Sequence, residues 1–157
     1  MKDEERLKIR IAELRSQPSL EETEQQMNDI VLQITEAATA IVPTMSWATN
    51  NNRERSQGTC GQEYRDTGGL TVFLPQMGAD QAIPEKSWPQ VLQSAREIAR
   101  QAGITEIQVF ADAPGNRDVR LYGENGNAIM IGYLTASVIS ARTGCRLPAA
   151  DLAHPPS

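Results

Sequence analysis

Two cysteines, Cys60 and Cys145, constrain this chain more than any other feature, because they lie 85 positions apart and are its only cysteines. Cys60 sits in a long polar stretch, where an unpaired thiol would be exposed and oxidisable. Cys145 follows the longest strand-like run. A bridge between them would tie the middle of the chain to its end and place the protein in an oxidising compartment. The alternative is two free, buried thiols in a cytosolic protein.

The chain has 157 residues, enough for one ordinary domain. We expect a single α+β domain over 1–157, with its core in 3–147 and a loose tail over 148–157. Aromatic residues make up only 4% of the chain, so the core must rest on Ile, Leu, Val and Ala. The net charge of −5 argues against nucleic acid, which needs clustered Lys and Arg, and against adhesion to anionic lipid heads. No run approaches the roughly 20 apolar residues of a membrane span. The charged start, Met1 to Arg6, lacks an apolar signal core and taken literally reads as cytosolic. It agrees with a bridged pair of cysteines if an export signal has been removed.

Apolar spacing predicts a helix over 3–15, with Leu7, Ile11 and Leu14 on one face. A capping box at Ser19 and Glu22 opens a second helix, which ends before Pro43. Its stripe is Met27, Ile30, Val31, Ile34, Ala37, Ala38 and Ile41. Residues 44–49 and 70–74 read as strands, with polar residues 50–66 between them as a loop. A third helix is expected to start at a Ser87 cap with Pro89 in its first turn, and to end at Gly103. Strands follow around Ile107–Ala111 and Val119–Leu121, joined at Pro114-Gly115-Asn116. Asn125-Gly126 predicts a type I′ hairpin turn. Residues 128–142 then read as one long strand. The expected architecture is a two-layer sandwich: a mainly antiparallel sheet of about five strands with helices on one face.

Catalytic chemistry is poorly provided for. The one histidine, His154, lies near the C-terminus, whereas Ser-His-Asp and Cys-His sites need a held imidazole. Two distant cysteines and one histidine do not make a zinc site. Gly58, Gly61, Gly68 and Gly69 do not have phosphate-loop spacing. Asp112, Asp118 and Glu124 surround one predicted hairpin and could serve as acid and base or bind calcium; the plainer reading is turn capping. Arg53, Glu54 and Arg55 could dock an acidic partner or simply be solvated. Trp47 and Trp88 read as core edges rather than binding aromatics. No catalytic residue, metal or cofactor is assigned.

Gly115-Asn116-Arg117-Asp118-Val119, the Gly123-Glu124-Asn125-Gly126-Asn127 turn, the run to Gly144-Cys145 and the following Leu147-Pro148-Ala149 resemble the closing hairpin of the LppA-like lipoproteins of mycobacteria. The helix before Pro43, the Trp47 strand and Cys60 also fall where such proteins have a helix, a Trp and a Cys. The resemblance implies export, an envelope location, a lipid anchor in the precursor that this chain lacks, and a disulfide between Cys60 and Cys145. It carries over no catalytic residue. The expected function is therefore a non-enzymatic envelope lipoprotein domain that binds a protein partner or a small hydrophobic ligand. A carboxylate-dependent hydrolase and a cytosolic interaction module with reduced cysteines are the alternatives.

Overall fold

Two amphipathic segments build the helical layer, and a third helix with little apolar face lies outside the main core. In a computed structural model describing residues 2–49 and 54–153, α1 spans Asp3–Arg15, α2 spans Leu20–Ile41 and α3 spans Trp88–Arg100. The Ser19 hydroxyl starts α2 by accepting the Glu22 amide at 3.1 Å. The α2 face carrying Met27, Ile30, Val31, Ile34 and Ala38 is buried and meets Val91, Ala95 and Ala99 of α3 within one core. α1 is different: only Leu14 is fully buried, so this helix lies against the body instead of entering it. Ser87 does not cap α3. A 3-10 turn over Glu85–Ser87 runs straight into the helix, and the Trp88 amide already bonds the Pro84 carbonyl at 3.1 Å.

Among the described residues the sheet has eight strands, not about five. They are β1 (Ala48–Thr49), β2 (Ser56–Thr59), β3 (Leu70–Phe73), β4 (Met77–Ala79), β5 (Glu106–Ala113), β6 (Asn116–Tyr122), β7 (Ala128–Tyr133) and β8 (Ser137–Arg142). The order is β1-β4-β8-β7-β6-β5, with β2 paired to β3 and β3 to β8, and every pairing is antiparallel. Ile129, Ile131 and Ile139 face the helices and are almost fully enclosed. The α+β, two-layer class is thus as expected. Three extra elements account for the count. β2 exposes all four of its residues and has no alternation to detect. β4 has three residues. The expected long strand over 128–142 folds back at Leu134-Thr135-Ala136 into β7 and β8, with Tyr133 opposite Ser137. That connection contains no Gly, Pro, Asn or Asp, so its turn leaves no compositional mark.

The connection from β6 to β7 is a five-residue loop over 123–127, because Tyr122 pairs with Ala128. It is not a type I′ turn. Gly126 has φ +83°, but Asn125 is not in the left-handed region that this turn requires of both central residues. At the C-terminus, the first part of the expected loose tail forms a short helix, α4 (Ala149–Leu152). The Ala149 amide donates to Glu21 at 3.1 Å, and Arg15 donates to the Asp151 carbonyl at 3.2 Å. His154 and Arg53 lie outside the described residues.

Candidate functional site

The segments after β2, before β3 and after β8 converge at one end of the sheet. Cys60 and Cys145 are joined there by a disulfide, with Cα atoms 6.0 Å apart. Beside it, Leu70 and Arg146 exchange backbone hydrogen bonds of 2.8 and 2.9 Å. The approach is very close: a Cβ placed on Gly69 would fall 2.3 Å from Cys145 Sγ, and one on Gly144 would fall 2.3 Å from the Asn125 carbonyl oxygen. Only glycine allows this contact.

The loop over 123–127 is held to the same place by side-chain amides. Asn127 is buried, and its Oδ1 accepts the Gly144 amide at 2.7 Å. Asn125 Nδ2 donates to the Ala102 carbonyl, and its Oδ1 accepts from the Asn127 amide. Arg146 completes the clamp, donating from Nη2 to the Asn125 carbonyl and from Nη1 to the Cys145 carbonyl, each at 2.7 Å.

α1 and the 3-10 turn at Gln62–Tyr64 supply the opposite wall. Arg6 donates to the carbonyls of Glu63 and Arg65 at 2.8 and 3.0 Å. Glu13 accepts the Tyr64 hydroxyl at 2.8 Å and pairs with Arg10, whose guanidinium stands 5.8 Å from the Tyr64 ring centroid. The bond to Glu13 holds the Tyr64 phenol above its ordinary pKa, and burial adds to the effect.

Between these walls lies a cleft of about 220 Å³, lined by Glu13, Leu14, Tyr64, Glu124, Asn125 and Arg146, among others. Arg146 is its unusual member. It is 4% exposed, its Nε has no hydrogen-bond partner, and no carboxylate among the described residues forms an ion pair with it. Desolvation pushes its pKa down, yet a guanidinium remains charged in proteins. Glu124 is exposed at the same cleft and has no partner among the described residues.

Other hollows are larger but less distinctive. One of about 370 Å³ runs along the outer side of α3 beside Leu92, Arg96 and Arg100. Another of about 350 Å³ lies by Arg117, Tyr133 and Leu134. The arginine of the second is already matched, while Asp118 stands exposed in its lining. Glu85 accepts from Arg117 and from the Tyr133 hydroxyl, and Arg117 also pairs with Asp112. Hydrogen bonds from Arg117 and then Tyr133 hold the Glu85 carboxyl below the usual range. Desolvation, with the bond to Glu85, pushes the Tyr133 phenol up.

The carboxylates singled out in the sequence do not come together. Asp112 is engaged by Arg117 at the β5–β6 turn, Asp118 is exposed on β6, and Glu124 lies beyond the opposite end of β6. Arg55 is committed to Glu24 of α2, with contacts of 2.6 and 2.9 Å, while Glu54 is exposed. Trp88 is buried edge-on to Tyr133, with ring centroids 5.6 Å apart; Trp47 packs partly buried against the core. Among the described residues, no group of His, Cys, Asp and Glu is placed to hold a metal ion, and no helix is long and apolar enough to cross a membrane. Sequence reasoning passed over Glu13, Tyr64 and Arg146. The one available signal was an arginine set between Cys145 and Leu147, two residue types that favour burial.

A sequence profile described as "LppA: Lipoprotein confined to pathogenic Mycobacterium" matches residues 1–149. The crystal structure of the LppA lipoprotein from Mycobacterium tuberculosis superposes with a TM-score of 0.76 at 14% identity, covering 97% of this chain and 91% of that one. A DUF4853 family protein from Actinomyces odontolyticus ATCC 17982 gives a TM-score of 0.60 at 16% identity, covering 85% and 71%. No curated protein matches the sequence.

Proposed function

The chain belongs to the LppA lipoprotein family, and from that membership we propose that it is an extracytoplasmic domain of the cell envelope, lipid-anchored in its precursor, that works by binding and not by catalysis. Its binding site is the cleft between α1 and the loop over 123–127. One observation carries this reading: Arg146 holds a buried positive charge beside an open cleft, and no carboxylate among the described residues pairs with it. Burying a charge without its counter-ion is costly, and a fold whose purpose was only stability would gain by replacing it. A small polar ligand that completes the charge gives the arrangement a purpose. The dispersal of Asp112, Asp118 and Glu124 supports binding over hydrolysis, because acid–base work needs the groups within reach of one substrate.

The test is an amide chemical-shift titration of the full chain with a small-molecule extract of mycobacterial envelope. Shifts clustered at Asn125, Gly126 and Arg146 are expected. Shifts clustered instead on β5, where Val109 and Phe110 are half-exposed at the sheet edge, would overturn the assignment of the cleft.

A further inference from the structure

We infer that the cleft recognises a small zwitterion, a molecule carrying a carboxylate and an ammonium a few bonds apart, as a free α-amino acid does. This rests on the reading of the cleft as a binding site and specifies what fills it. Arg146 spends two of its five N–H groups on the Asn125 and Cys145 carbonyls, which are neutral acceptors; its Nε–H is enclosed and unpartnered, which leaves the second N–H of each Nη for a ligand. The planar fork of a guanidinium suits a carboxylate, which can accept two parallel bonds and supply the missing negative charge. A carboxylate is therefore the group expected against Arg146.

The other charges restrict the remainder of the molecule. Glu13 is already answered by Arg10 and the Tyr64 hydroxyl, so it offers a ligand cation little. Glu124 has no partner among the described residues and is exposed at the same cleft. An ammonium on the ligand would meet it, whereas an anion without one, such as phosphate, would leave Glu124 facing like charge. Size points the same way. At about 220 Å³ the cleft falls below the roughly 300–1,000 Å³ that holds drug-sized ligands. Apolar lining is confined to Leu14, the Tyr64 ring and the disulfide edge, and a cleft of this volume has no room for a long apolar tail.

Four matched probes separate these contributions in the intact chain: alanine, propionate (carboxylate only), alaninamide (ammonium only) and N-acetylalaninamide (uncharged). The Arg146 Nε–H resonance and the amides of Asn125 and Gly126 are followed by NMR. Alanine is expected to move all three and to bind roughly tenfold more tightly than propionate, the worth of one charge-assisted contact, with alaninamide weaker still. Glu124→Gln, an exposed change that leaves the fold intact, should lower alanine to the affinity of propionate. Arg146→Gln should abolish the binding of both. Alaninamide or inorganic phosphate binding as tightly as alanine would overturn the inference, as would an unchanged alanine affinity in Glu124→Gln. If the uncharged probe binds as well as alanine, charge recognition fails while the cleft remains a binding site. If none of the probes and no component of the envelope extract moves these signals, both readings fall.

Discussion

Breaking the Cys60–Cys145 bridge should cost a large part of this protein's stability, and the structure says where the loss begins. The bridge closes a loop of 85 residues. On the chain-entropy treatment, a crosslink of that span removes about 4.5 kcal/mol of conformational freedom from the unfolded chain. Against a domain stability of roughly 5–15 kcal/mol, that is enough to bring a marginal fold near its limit. For a chain of this length it corresponds to a fall in Tm of roughly 9–18 °C. The locus is β2, all of whose residues are exposed and which pairs with β3 alone. Its other restraints are Cys60, which follows it directly, and the exposed Arg55–Glu24 pair that precedes it.

The assay is thermal and urea unfolding of three samples: oxidised protein, protein in a strong reductant, and the double variant Cys60→Ser/Cys145→Ser. The reduced and double-variant curves should coincide and lie below the oxidised curve by about the stated margin. Hydrogen exchange in the double variant should be fastest at residues 56–59, while Ile129 and Ile131 keep their protection in proportion to the global stability. A loss under about 1 kcal/mol would refute the reasoning, because the crosslink would then not be restraining the unfolded chain as the entropy model requires. So would a β2 segment that stays protected without the bridge.

Two further outcomes follow from buried and exposed polar groups. Asn127→Ala removes the acceptor of the buried Gly144 amide and should destabilise by about 1–3 kcal/mol in urea unfolding, whereas Leu32→Ala, at an exposed position of α2, should change it by less than about 0.5 kcal/mol. The Glu85 carboxyl, held down by Arg117 and Tyr133, should titrate below the ordinary range when followed by carbon-13 NMR. Its folded value is the lowered one, so its contribution to stability is present above the unfolded value and disappears as the pH falls through the folded value; Arg117→Gln should move the titration back toward an unperturbed glutamate.

The helices were readable because each bears a repeating stripe and a boundary of known chemistry, such as the hydroxyl of Ser19 and the ring of Pro43. The β5–β6 hairpin was readable for a similar reason: Pro114-Gly115 turns the chain between two alternating runs. β2 and β4 bury too little to alternate, and β7 and β8 merge into one apolar run because Leu134-Thr135-Ala136 lacks turn residues. The cleft was not readable. Glu13, Tyr64, Asn125 and Arg146 come from four segments far apart in the chain, and no local pattern says that they meet. The acidic residues that did attract attention, Asp112 and Asp118, are close in sequence, and one is held by its own neighbour Arg117.

The tight approaches at Gly69 and Gly144 bear on how sequences with this fold diverge. Relatives of very low identity keep the architecture, so most side chains have been exchanged without losing it. These two positions are closed to such drift, but for different reasons. Position 69 is crowded by a sulfur atom, and position 144 by main chain. A lineage that replaced Cys145 would relieve the first, provided that Leu14 and Thr67 gave way by a few tenths of an ångström, and would still be barred at the second.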